Sequence, residues 1–398
     1  MLGAVLGPRS PHTARHLARP SAPVTRGLRS TQYLSFVSLG IAMSLVGPLL
    51  PAIRLELPMS YLEAGLILSG QFLGMVVTVP PGGHLADRLG KRAFLIASAV
   101  LMVAGLAGLG VARSLPALLA ASVVTGVGGG GVEVGVNALE ADHAGERAGH
   151  ALNLLHFFFG LGAIAGPLLA AAVIRAGLGW RLAFQLAAAL PALVALSLAA
   201  QPVSRGAPPA EDAAALYRSG TLWRYGLALA AYVAVETSVY GWIASYWERR
   251  GSPALPPPAL AALFWATLTA GRLLCGRLAD RLGLARFVRR AAAASAAVCL
   301  AWAALPTPAV TAAAVLLLGL SLAGIFPTTV ALVTGLFPGH SGKVVAVLGV
   351  FASLGGLLGP VALGRLADAA GIRALPPFAA ALAVALLAGV ARRARPPT

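Results

Sequence analysis

Along the chain, apolar residues gather in long runs separated by short polar breaks, and each run holds about 20 residues with few interior charges. At ~1.5 Å rise per residue, a run of that length crosses a ~30 Å hydrocarbon core as a helix. Strands of a membrane barrel are about half as long and alternate apolar with polar positions, which these runs do not. The pattern predicts twelve helical spans, at 31–53, 61–82, 93–112, 115–139, 151–174, 180–201, 221–247, 259–277, 288–305, 308–336, 344–366 and 374–391. Because the number is even, both termini share one face.

Two breaks read alike. Residues 82–92 are GGHLADRLGKR and residues 276–286 are GRLADRLGLAR, so Gly83 and Gly276 lie 193 residues apart (276 less 83). GAIAGP at 162–167 returns as GGLLGP at 355–360 at the same spacing, and Gly179-Trp180-Arg181 returns as Gly371-Ile372-Arg373 at 192. The chain therefore reads as two parallel six-span repeats, 31–201 and 220–393, joined by a linker at 202–219 rich in Pro, Ala and charge. The repeated Gly-Pro pair, at Pro167 and Pro360, reads as a helix-packing and bending element.

Composition fixes the solvent. Of 398 residues, 58% are hydrophobic and 11% charged, with mean hydropathy +0.82, whereas soluble domains carry ~25% charge. The fold class is an all-α integral membrane protein with membrane lipid as its surroundings. The net charge is +17, and of 30 Lys and Arg about 21 fall on the face holding the termini and about 8 on the other, with Arg272 between them. This asymmetry assigns the termini to the cytoplasm and accounts for the basic charge without nucleic acid. Cys275 and Cys299 lie inside spans, which gives neither a disulfide framework nor a metal cluster. Residues 1–30 lack the apolar core of a secretory signal and read as a disordered cytoplasmic tail. Heavy Ala, Gly and Arg usage, with only Lys91 and Lys343 as lysines, fits a GC-rich bacterial gene and so a bacterial inner membrane.

The break at 82–92 has its own chemistry. Gly83 and Gly90 permit close helix approach and a tight turn. Asp87 is suited to accept hydrogen bonds at the N-terminus of a neighbouring helix, where the macrodipole favours an anion. Arg88, Lys91 and Arg92 anchor the break on its face, while the second copy keeps Gly276, Asp280 and Arg281 but has Leu284 and Ala285 in place of the basic pair. With the repeat and the span count, this motif resembles the signature of the major facilitator superfamily, over residues 31–393. The resemblance implies an alternating-access transporter in which this cluster holds the halves together when the outside is open.

Ionisable residues inside spans cost ~3 kcal/mol or more on insertion scales and so mark function. Four stand out: Glu133, Glu236, Arg272 and His156. Glu133 lies in GVGGGGVEVGVNALEAD, 126–142, with Asn137 four residues on and so on its face. The glycines before it leave room for the backbone to bend or for a ligand to press against it. At the 193-residue offset Glu133 maps to Phe326, so the carboxylate belongs to one half only. Glu236 lies in AYVAVETSVYGW, 231–242, where Thr237, Ser238, Tyr240 and Trp242 supply hydroxyls and rings suited to a sugar; Tyr246 and Trp247 read as membrane-interface anchors.

Residues 131–167 resemble the fourth and fifth spans of the fucose permease group of sugar and proton symporters, which carry a glutamate followed four residues later by asparagine. The resemblance implies substrate binding and proton coupling at Glu133 and substrate contact at Asn137. The pattern departs at Gly47, in SLVGPLLP, where that group has an aspartate. Glu236 offers a second carboxylate, since spans 1, 4, 7 and 10 line the central cavity in the superfamily. The expected site is then Glu133, Asn137, His156, Glu236 and Tyr240 for substrate, with Glu133 and Glu236 for the proton.

The sequence reads as a monomeric secondary transporter for proton-coupled uptake of a small polar solute such as a sugar. The alternative is a proton-coupled exporter of hydrophobic compounds, although the arginine that such antiporters carry in the fourth span is missing from 121–131. An enzyme is not expected, because Asp142-His143 with Glu146-Arg147 reads as a solvated loop. No cofactor is expected either, since no phosphate-binding Gly-Lys-Ser/Thr or metal-ligand cluster is present.

Overall fold

The computed structural model describes residues 25–144, 148–201, 218–250, 255–337 and 340–391, and the side chains of all these except 141–153, 250 and 341. Most of the tail and linker anticipated at 1–30 and 202–219 lies outside the described residues, as does the side-chain chemistry of Asp142, His143, Glu146 and Arg147.

The first half comprises α1 (Arg26–Glu56), α2 (Tyr61–Leu89), α3 (Lys91–Val111), α4 (Leu115–Ala144), α5 (Ala148–Arg175) and α6 (Trp180–Ala199). The second comprises α7 (Gly220–Arg250), α8 (Pro257–Leu282), α9 (Leu284–Ala304), α10 (Pro308–Leu322), α11 (Ile325–Leu336), α12 (Ser341–Ala370) and α13 (Leu375–Ala391). Among the described residues, twelve spans are long and apolar enough to cross a membrane, with α10 and α11 forming one of them. Their outer surfaces carry exposed Leu196, Leu227, Leu274 and Leu358, as a lipid-facing surface requires.

Span 10 is not the single helix that its apolar run predicts. Pro327 has no N–H to bond the carbonyl of Ala323, and the helix breaks at Ala323–Gly324. The break sits tightly, since a Cβ on Gly324 would approach both Cys275 and the Phe287 ring to 2.6 Å.

The repeat read from the sequence returns as packing. Gly162 of α5 seats against the backbone of Val37 on α1, and Gly355 of α12 seats against Ala230 on α7; glycine and target are each displaced by 193 residues. Gly126 of α4 seats on Gln71 of α2, and Gly319 of α10 on Phe264 of α8, at the same displacement. Each half is thus built on one set of glycine-to-backbone contacts.

These contacts correct one expectation. In the glycine run of α4, Gly126 and Gly130 face α2, Gly128 and Gly131 face α3, and Gly129 faces Leu39 of α1. The room left by the missing side chains is taken by neighbouring helices, so the run is a packing seam and leaves no space there for a ligand.

The halves meet along α1 with α7, α2 with α12, and α5 with α8. The α2–α12 seam runs from Tyr61 and Gly364 through Gly65 and Pro360 to Phe72 and Gly356, with Val79 near Gly349 at its end. On α1 and α7 it passes through Gly47 and Gly241. All these contacts lie away from the face that carries Gly90, Gly283 and the start of α1, which is called the basic face below. At that face α4 and α11, which the repeat relates to each other, form no extended packed interface among the described residues. Among the described residues, the close glycine contacts between the halves gather toward the face opposite the basic one.

Candidate functional site

On α4, Glu133, Asn137 and Glu140 recur at helical spacing and form one polar stripe. Glu133 is half-buried and has no hydrogen bond or ion pair among the described residues. Asn137 Oδ1 and Glu140 Oε2 are buried without hydrogen-bond partners among the described residues. Gly129, one turn before Glu133, faces Leu39, which turns the stripe toward α1.

The second polar group spans three helices. Glu236 is buried on α7, with Tyr232 one turn before it and Tyr240 one turn after. Arg272 of α8 acts electrostatically on Glu236 and Tyr232, although no salt bridge joins Glu236 to Arg272 among the described residues. Its Nη1 donates to the backbone carbonyl of His156 on α5 at 3.4 Å. The His156 ring itself lies edge-on to Phe36, with centroids 5.5 Å apart.

Aromatic walls surround this group. Trp265, two turns before Arg272, packs on Tyr240 at 5.1 Å and on Phe159 at 5.7 Å between centroids. Phe326, at the start of α11, lies 6.2 Å from the Tyr232 ring. Tyr240 Oη donates to the Met43 carbonyl across the boundary between the halves at 3.3 Å. Tyr232 Oη lies beside Arg272 and Glu236, and Trp265 Nε1 and Thr269 Oγ1 are buried with no bonded partner among the described residues. Such groups are costly to leave unpaired, and here they cluster within two turns of one guanidinium. The arrangement offers hydroxyl, indole and guanidinium donors, one carboxylate and several ring faces.

The structure thus gathers Glu236, Tyr240 and His156 around Arg272 and keeps Glu133 and Asn137 on a separate stripe. Tyr232, Glu140 and the role of Arg272 escaped the sequence reading. The signal for Tyr232 was present, since it precedes Glu236 by four residues. Tyr246 and Trp247 are corrections: both are buried inside the second half, Tyr246 against Trp302 and Trp247 donating to the Leu255 carbonyl at 3.0 Å. A lipid interface would leave them exposed.

At the basic face, Gly83, Asp87 and Arg88 are exposed, as are Gly276, Asp280 and Arg281. Neither aspartate makes a hydrogen bond or ion pair among the described residues, and a Cβ on Gly83, Gly90 or Gly276 would meet nothing within 4 Å. The turn at Gly90 has φ +84°. It is tied within its own half, by Arg92 donating to the Leu198 and Ala199 carbonyls and Lys91 donating to that of Ala138. Among the described residues, Asp87 and Asp280 make no bond to the other half.

Comparison with known proteins gives a consistent picture. The family model for the Major Facilitator Superfamily matches residues 33–318 and 259–398. An uncharacterised transporter of this type from Mycobacterium tuberculosis is 30% identical over 45% of this chain and 26% of its own length. The mouse sodium-dependent glucose transporter 1A is 30% identical over 35% of this chain and 32% of its own. The Escherichia coli 3-(3-hydroxy-phenyl)propionate transporter is 31% identical over 33% of each. The chain therefore aligns with only about a quarter to a third of the length of these relatives. Among solved structures, a D-xylose-proton symporter superposes with TM-score 0.81 at 14% identity, covering 94% of this chain and 98% of that one, which establishes a shared fold.

Proposed function

This chain belongs to the major facilitator superfamily, and from that membership we propose that it is a proton-coupled secondary transporter taking up a small polar solute such as a sugar. It works as a monomer in a bacterial inner membrane, with the basic face and both termini cytoplasmic. The observation that carries the reading is the pair of polar groups inside the spans, the stripe of Glu133 and Asn137 on α4 and Glu236 facing Arg272 between α7 and α8. Ring faces beside unpaired donors suit a solute with C–H faces and hydroxyls, and the xylose symporter and the glucose transporter point the same way.

Proton coupling is assigned to Glu133. A carboxylate with no protein partner is free to exchange its proton with whichever aqueous face is open, so proton and solute cross together. Asp87 and Asp280, exposed here, are assigned to hold the basic face shut in the opposite conformation.

One observation favours a second reading. Arg272 has no salt-bridge partner among the described residues and lies among aromatic rings, which suits a ring-bearing carboxylate of the kind named for the E. coli relative. Uptake into proteoliposomes under an imposed proton gradient, comparing pentoses and hexoses with aromatic acids, separates the two. Accumulation of sugars alone supports the first, accumulation of acids alone the second, and no gradient-driven uptake of either class overturns both.

A further inference from the structure

The sequence carries a third copy of the Gly-Xaa-Leu-Ala-Asp motif, on the face opposite the other two. Residues 364–368, Gly-Arg-Leu-Ala-Asp, match 83–87 and 276–280, and Gly371 follows Asp368 at the spacing by which Gly90 follows Asp87 and Gly283 follows Asp280. All three terminal glycines have positive φ, +84°, +79° and +75° for Gly90, Gly283 and Gly371. Each ends a long helix, but α12 runs the other way across the membrane from α2 and α8.

Asp368 is engaged where Asp87 and Asp280 are not. Its Oδ1 accepts from the Tyr61 backbone N–H at 2.7 Å and its Oδ2 from that of Leu62 at 3.1 Å, so a carboxylate of the second half closes the N-terminus of α2 in the first. The donors of that helix end are fully accounted for. Ser60 Oγ accepts from Glu63 N and Glu63 Oε2 accepts from Ser60 N, which leaves the N–H groups of Tyr61 and Leu62, the two that Asp368 takes. The helix dipole adds to this attraction for a carboxylate.

The surroundings reinforce the junction. A Cβ on Gly364 would run into the Tyr61 carbonyl, and one on Gly65 would lie 2.7 Å from the Pro360 carbonyl. The Tyr61 ring lies 3.9 Å below the Arg54 guanidinium and 5.8 Å from the Trp242 ring. The equivalent junction of the other half has neither partner: the position matching Asp368 is Arg175, which is exposed, and α8 opens with Pro256, Pro257 and Pro258, which have no N–H to give.

We propose that Asp368 is a positioning residue that latches the opposite face shut by capping α2, while the two copies at the basic face serve the reverse conformation. The motif then acts on both sides of the membrane in alternation. This rests on the alternating-access reading above.

The test is a distance measurement by electron paramagnetic resonance between spin labels at Leu55→Cys and Leu255→Cys, in full-length protein carrying Cys275→Ser and Cys299→Ala. The parent is expected to give mainly the short distance of the closed face. Asp368→Asn, of equal size without the charge, is expected to raise the long-distance fraction about threefold to tenfold. Ser60→Ala is the control: it removes a cap from the same helix end without touching the link between halves, so it is expected to lower thermal stability and leave the distances unchanged. If Asp368→Asn leaves the distribution as in the parent, or Ser60→Ala shifts it equally, the latch is overturned. If the parent distances respond to no substrate and no pH, the alternating-access reading itself fails. A parent that responds while Asp368→Asn changes nothing sinks only the latch.

Discussion

The guanidinium of Arg272 on α8 hydrogen-bonds to the backbone carbonyl of His156 on α5, 3.4 Å across the boundary between the halves, while it faces Glu236 on α7 without closing a salt bridge. One cation is thereby anchored to a group that cannot titrate, while it acts on Tyr232 and Glu236 of α7.

Arg272→Gln is expected to weaken substrate binding about tenfold to a hundredfold, the value of a hydrogen bond to a charged group. Arg272→Lys keeps the charge but loses the planar fork, and is expected to fall between Gln and wild type. Titration calorimetry on purified protein measures both. Equal affinity in all three proteins places Arg272 outside the binding site.

Glu133→Gln keeps the hydrogen-bonding shape and cannot ionise. The variant is expected to bind solute and exchange it across the membrane, yet neither to accumulate it nor to respond to a pH gradient. Glu236→Gln is expected to weaken binding more than coupling. Counterflow and gradient-driven uptake in vesicles distinguish the two, and wild-type accumulation by Glu133→Gln removes that residue from the coupling step.

Asp87→Asn removes an anion that has no partner in the conformation seen here. Its thermal stability is expected to match wild type while transport falls strongly, because on the proposed reading the interaction lost belongs to the reverse conformation, where it would be worth ~0.3–2 kcal/mol. Unchanged uptake in reconstituted vesicles is the contrary result.

Gly126→Val and Gly83→Ala test the two uses of glycine. A Cβ at Gly126 runs into the Gln71 backbone, so the valine is expected to cost about 1–3 kcal/mol or more and to lower the melting temperature in detergent by several degrees. Gly83 faces open space, so its alanine is expected to melt as wild type does. The reverse order contradicts the packing seam.

The spans and their repeat were legible because apolar length and a fixed offset are properties of the string itself. The ends were less so: α2 continues to Leu89 and α4 to Ala144, past the apolar cores that mark the membrane. Which way a span faces was hidden as well, since lipid tails and a protein interior are equally apolar. Tyr246 and Trp247 therefore read as interface anchors when they are core residues. The glycines before Glu133 gave the same ambiguity, because a missing side chain admits a ligand or a helix and only the fold decides between them. Arg272 was visible as a charge, but that it faces Glu236 depends on the docking of α7 against α8.

The seam that seals one face also sets where the membrane voltage falls. A packed stack of helices from Tyr61 and Asp368 down to Val79 excludes water and so insulates. With the basic side open, as the alternating-access proposal holds, most of the potential is expected to drop across the sealed part, leaving Glu133 and Arg272 close to the electrical level of the basic-side solution. If the seal changes sides, as the alternating-access proposal requires, the same residues take the level of the other compartment without being carried through lipid. At ~2.3 kcal/mol per elementary charge per 100 mV, that switch is worth more than many single contacts in the protein. On that reading the protein would do electrical work by relocating the insulation around a charge held in place.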